Sequence, residues 1–122
     1  MTVSAFTEAL LRALAALEGV EQVALRTEGP VVNGRASFRE GMFLAFYYNQ
    51  ATGTQTFALI KDAERVWGID YDNTRGWHLH PVDAPSQHMA IEPQSIPAIV
   101  GLLEHALARL CESYGPDAQE GT

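Results

Sequence analysis

The sequence predicts an α+β domain: an antiparallel sheet of four to five strands, arranged as a meander, with an N-terminal and a C-terminal helix packed on one face. Three observations predict it. Apolar residues recur at helical spacing near both ends of the chain, the middle switches to alternating and aromatic runs too short for helices, and tight turns separate those runs. The 122 residues suit one domain that can bury a core without staples. The domain is read as residues 1–115, followed by a flexible acidic tail at 116–122.

Residues 4–18 read as an amphipathic helix because Phe6, Leu10, Leu14 and Leu17 share a stripe with Ala13; Ser4 is the expected N-cap and Gly19 the stop. Residues 20–28 then alternate, with Val23, Leu25 and Thr27 on one strand face and Gln22, Ala24, Arg26 and Glu28 on the other. Gly29-Pro30 ends that strand. Val31-Val32-Asn33-Gly34 reads as a turn or loose hairpin, followed by at most a short strand near 36–39. Residues 42–48, Met-Phe-Leu-Ala-Phe-Tyr-Tyr, read as a central strand. A turn at 49–53 leads to a strand over 54–61, a second turn at 62–65 and a strand over 66–72. Residues 73–94 read as an irregular loop with Pro81, Pro85, Pro93 and three of the four histidines; ordered loops of that length tend to carry function. The last element is a helix over 96–113, capped by Ser95, with Pro97 tolerated in its first turn. Its stripe is Ile96, Ile99, Val100, Leu103, Leu107 and Leu110, and Gly115-Pro116 ends it.

Composition narrows the function. The net charge is −7 and the pI about 4.9, which excludes broad electrostatic binding to nucleic acid. The charge is uneven, however. Six bases balance six acids between Arg26 and Arg75, so the middle is neutral and a small anion-binding site around Arg75 stays open. The lone Cys111 excludes an intramolecular disulfide and reads as a packed hydrophobe beside the last helix's stripe. No apolar run approaches the ~18–20 residues of a membrane span, and no signal peptide is visible, so the expected location is the cytoplasm. The meander leaves a strand edge unpaired, which makes a homodimer a natural expectation.

The chemistry-bearing residues lie between Trp67 and Met89. Asp70 and Asp72 are two apart on a strand and face one side; His78 and His80 do the same if that stretch is extended, and His88 can fold back onto them. Three roles are open. His78 and His80 can form a bidentate clip for a divalent metal, which His88 or an aspartate would complete. Alternatively Asp72, Arg75, His78, His80 and His88 can supply general acid/base chemistry and an anion contact, as metal-free RNA cleavage requires. Finally, the histidines can simply bond backbone groups while Asp72-Asn73 makes a turn. No glycine-rich phosphate loop or nucleophile elbow competes with this segment. His105 reads as an exposed helix residue, and Phe46, Tyr47 and Tyr48 as strand residues with one exposed hydroxyl face.

The run Val66-Trp67-Gly68-Ile69-Asp70-Tyr71-Asp72-Asn73, then His78-Leu79-His80-Pro81, Pro85 and His88, resembles the TumE-type family of small proteins assigned as the toxin half of toxin–antitoxin modules. The likeness extends over about residues 42–110 and is strongest over 70–88. It departs where family members carry adjacent histidine pairs, since Leu79 separates His78 from His80. The resemblance implies an antitoxin-like protein partner and a toxin-like role more firmly than a reaction; RNA as substrate comes from the acid/base reading of the histidine segment. The alternative is a non-enzymatic protein-interaction module.

Overall fold

Alternation along the middle of the chain is converted into one large sheet. The computed structural model describes residues 1–114. After helix α1 (Val3–Ala15) come seven strands, β1 (Gln22–Glu28), β2 (Val31–Ser37), β3 (Phe43–Asn49), β4 (Gln55–Lys61), β5 (Glu64–Asp72), β6 (Gly76–His80) and β7 (Met89–Ala90), and then helix α2 (Ile96–Tyr114). A single 3₁₀ turn at Arg39–Gly41 joins β2 to β3. The strands lie in chain order, each antiparallel to the next, so the meander is complete. The proposed tail at 116–122 and the stop at Gly115-Pro116 lie outside the described residues. Among the described residues no helix is long and apolar enough to cross a membrane.

The α+β class and the two-helix arrangement hold, but the sheet has seven strands, not four to five. Two sequence signals misdirect. Asn33-Gly34 looks like a turn, yet the turn is Gly29-Pro30, with Gly29 at φ 57°, and residues 31–37 run straight through as β2. Gly34 serves packing instead: a Cβ there would lie 2.2 Å from the Ala24 carbonyl oxygen, so the close approach of β1 requires glycine. The region 73–94 is not wholly irregular either, because a tight turn at 73–75 returns the chain as β6, and β7 pairs with β6 after a loop.

Both helices lie on one sheet face. Cross-strand partners share a face, so the register Leu44–Leu59–Trp67 and Phe46–Phe57–Ile69–Leu79 defines the inner one. Against it pack Phe6, Leu10 and Leu14 of α1 and Ile96, Ile99, Leu103, Ala106 and Leu110 of α2. Phe6 stacks on Tyr48 at 4.6 Å and meets Phe57 at 6.0 Å. Each large buried side chain of this kind contributes about 1.5–3 kcal/mol by leaving water. The first helix is capped by Thr2, whose hydroxyl accepts from the Ala5 N–H, rather than by Ser4. The Ser95 hydroxyl does accept from the Ala98 N–H at the start of α2. Cys111 is exposed rather than packed, one position past the last core residue of the stripe, Leu110.

Candidate functional site

The site lies on the sheet face away from the helices, at the β5–β6 end. Pairing Gly68 with His80 and Asp70 with His78 brings one carboxylate under two imidazoles. Asp70 is the hub. Its Oδ2 lies 3.4 Å from His78 Nε2 and 3.1 Å from His80 Nε2, while Arg65 NH2 donates to both of its oxygens at 3.0 and 3.1 Å. A bulge between β4 and β5 advances Arg65 into this position, pairing it with Ile60 directly after the Leu59–Trp67 pair. Gly68 makes room for it: a Cβ at Gly68 would stand 2.0 Å from the Arg65 guanidinium.

The opposite side of each imidazole is also tied down. His80 Nδ1 faces the Pro85 carbonyl at 2.9 Å, and His78 Nδ1 faces the Gly76 carbonyl at 3.3 Å. A carbonyl can only accept, so these contacts put a hydrogen on each Nδ1; each Nε2 faces the Asp70 carboxylate, donating to it if protonated and presenting a lone pair if not. The loop after β6 makes this possible. It is built from two successive turns, Ala84 N–H to the Pro81 carbonyl and Gln87 N–H to the Ala84 carbonyl. These turns carry the chain across the strand and return His88 to the cluster. The three rings form a triangle with centroids 5.4 Å (78–80), 5.2 Å (78–88) and 4.4 Å (80–88) apart. His78 and His80 are buried at 5 % and 6 % exposure, whereas His88 is exposed. Desolvation by packing, with the neighbouring His80 and His78 next, draws the His88 imidazole below its ordinary pKa.

Three of the five residues singled out in the sequence, His78, His80 and His88, therefore converge, with one ligand atom from each within 4.8 Å of the others. That spacing is short enough to hold a metal ion. Asp72 and Arg75 sit at the rim. Asp72 Oδ1 accepts from the Thr74 and Arg75 backbone N–H groups, so it shapes the β5–β6 turn; the Arg75 N–H, its strongest influence, holds its carboxyl below the ordinary value. Arg75 is exposed, 3.9 Å from Asp72, and close enough for its charge to act on His88. Sequence reasoning noticed Asp70 without giving it the central role and missed Arg65 and Gly68. A glycine inside an apolar strand is itself a sign of close approach, and it was the available clue to Arg65.

Set against protein-family models, curated proteins and solved structures, the chain matches none of them. The likeness to the TumE-type family thus rests on the residues quoted for it.

Proposed function

We propose that this chain is the toxin-like half of a two-protein module in the cytoplasm and that it cuts RNA at the Asp70–His78–His80–His88 cluster, with Asp72 and Arg75 at its rim. One observation carries this reading: three imidazoles and a carboxylate converge at a point open to solvent through His88. Cleavage within RNA requires a base to take the proton of the 2′-hydroxyl, attack of that oxygen on phosphorus, and a proton delivered to the departing 5′-oxygen. In this reading the exposed His88 touches substrate and the exposed Arg75 at the rim meets the phosphate. Such a small anion contact is compatible with an acidic chain, because it needs no broad basic surface.

The test is incubation of the purified protein with total RNA, with and without EDTA. The expected result is cleavage by the wild type and its loss in His78→Ala and His80→Ala. A wild type that cuts nothing, or variants that cut equally well, overturns the reading. A free strand edge favours a second reading, in which the chain acts by protein contact alone. Among the described residues β1 is paired only with β2, and its Leu25 is 38 % exposed. An antitoxin-like partner or a second copy of the chain would cover that edge. Co-purification with the product of a neighbouring gene, without nuclease activity, would favour this reading, and light scattering showing a strict monomer would remove the homodimer.

A further inference from the structure

The geometry points to a tetrahedral divalent transition-metal site, of the zinc type, with the Nε2 atoms of His78 and His80, one ring nitrogen of His88 and Oδ2 of Asp70 as ligands. This goes beyond the proposed function and does not rest on it: an ion with all four groups as ligands has no open position and would occupy the rings that cleavage uses as acid and base.

The first reason is convergence. His78 and His80 both turn Nε2 toward Asp70 Oδ2, at 3.4 and 3.1 Å, while each Nδ1 faces a backbone carbonyl. The His78 distance is long for a hydrogen bond. Two rings and a carboxylate thus face a shared centre, where a metal ion would bind in place of protons on Nε2 with both Nδ1 contacts intact.

The second reason is size. Around an ion with ligands at about 2.0–2.1 Å, tetrahedral geometry sets neighbouring ligand atoms about 3.3–3.4 Å apart. The two nitrogen–oxygen distances here, 3.4 and 3.1 Å, match that edge. The histidine ligand atoms lie within 4.8 Å of one another, so the rings would draw together around a bound ion.

The third reason is the surrounding layer. Metal-bound histidines characteristically donate their other N–H to a carbonyl or carboxylate, and bound carboxylates are themselves hydrogen-bonded. His80 on Pro85, His78 on Gly76 and Asp70 under Arg65 supply each of these contacts. Three imidazoles and one oxygen suit zinc-like ions rather than magnesium or calcium, which take oxygen ligands.

The test uses the full chain without a histidine tag, stripped with a chelator and titrated with Zn²⁺ by calorimetry. Cobalt substitution reads the geometry. The expected result is about one ion per chain, an intense tetrahedral cobalt spectrum, and affinity lower by about 100-fold or more in Asp70→Asn and His88→Ala. His88 is exposed, so its variant keeps the test valid if the buried histidine variants do not fold. His105→Ala, which removes the exposed histidine of α2, should bind as the wild type does. Binding below about a tenth of an equivalent, or equal losses in His105→Ala and His88→Ala, overturns the site. Zinc binding is read without RNA, so its failure is separate from failure of the cleavage assay.

Discussion

The two faces of the sheet are made by alternate residues of the same strands, yet they are built on opposite principles. The inner face, Leu44, Phe46, Phe57, Leu59, Trp67 and Ile69, is apolar and buried under both helices. The outer face, one residue out of phase, carries Gly68, Asp70, His78 and His80, with Asp70 facing both imidazoles. The inner face holds the fold together by removing apolar area from water. The outer face holds chemistry by pinning orientation. One residue of register separates the two functions, so the β5–β6 turn that fixes that register matters to both.

The comparison is broken most sharply on the inner face. Phe57→Ala, at a fully buried site packed against Phe6, should cost about 3–5 kcal/mol in urea unfolding, a large part of what a domain this size possesses. Gly34→Ala comes next. Its new Cβ meets backbone of β1, which cannot swing aside, and a loss of about 1–3 kcal/mol is expected. Gly68→Ala sharpens the contrast, because there the Cβ meets the end of a flexible arginine. Arg65 should leave Asp70 with a smaller loss than in Gly34→Ala, while the histidine ring resonances in NMR shift. A stability loss as large as that of Gly34→Ala would show that Arg65 is structural. The smallest effect belongs to Asp72. Its pKa lies below 3.8 in the folded chain, so its stabilising contribution is present above that value and lost as pH falls through the lowered one. Asp72→Asn should therefore lose this small contribution at neutral pH and flatten the acid limb of the stability curve below about pH 4. An unchanged acid limb would mean the turn does not depend on that charge.

The inner face was largely legible in the sequence. Helical spacing located Phe6, Leu10, Leu14, Ile99 and Leu103, and all of them are buried. The outer face was legible only in its histidines. His-x-His announces two rings on one side, but what they face depends on strand register, and the register depends on a turn that merges with a polar loop. The seventh strand, of two residues, has almost no sequence signal. Arg65 was hidden because a bulge shifts it by one position, and alternation cannot foresee a bulge. The Asn33-Gly34 pair misled for the opposite reason: tertiary packing claimed a glycine that local rules assign to a turn.

The chain-order pairing of β1 to β7 has a kinetic consequence. Every ladder joins neighbours in sequence, so the sheet can grow hairpin by hairpin with short loop closures, a topology that favours rapid assembly. The contact between α1 and α2 brings together segments near opposite ends of the described chain. The two helices act as a clasp over the ladder. Losing either one would uncover part of the sheet's apolar face, and exposed apolar surface favours aggregation.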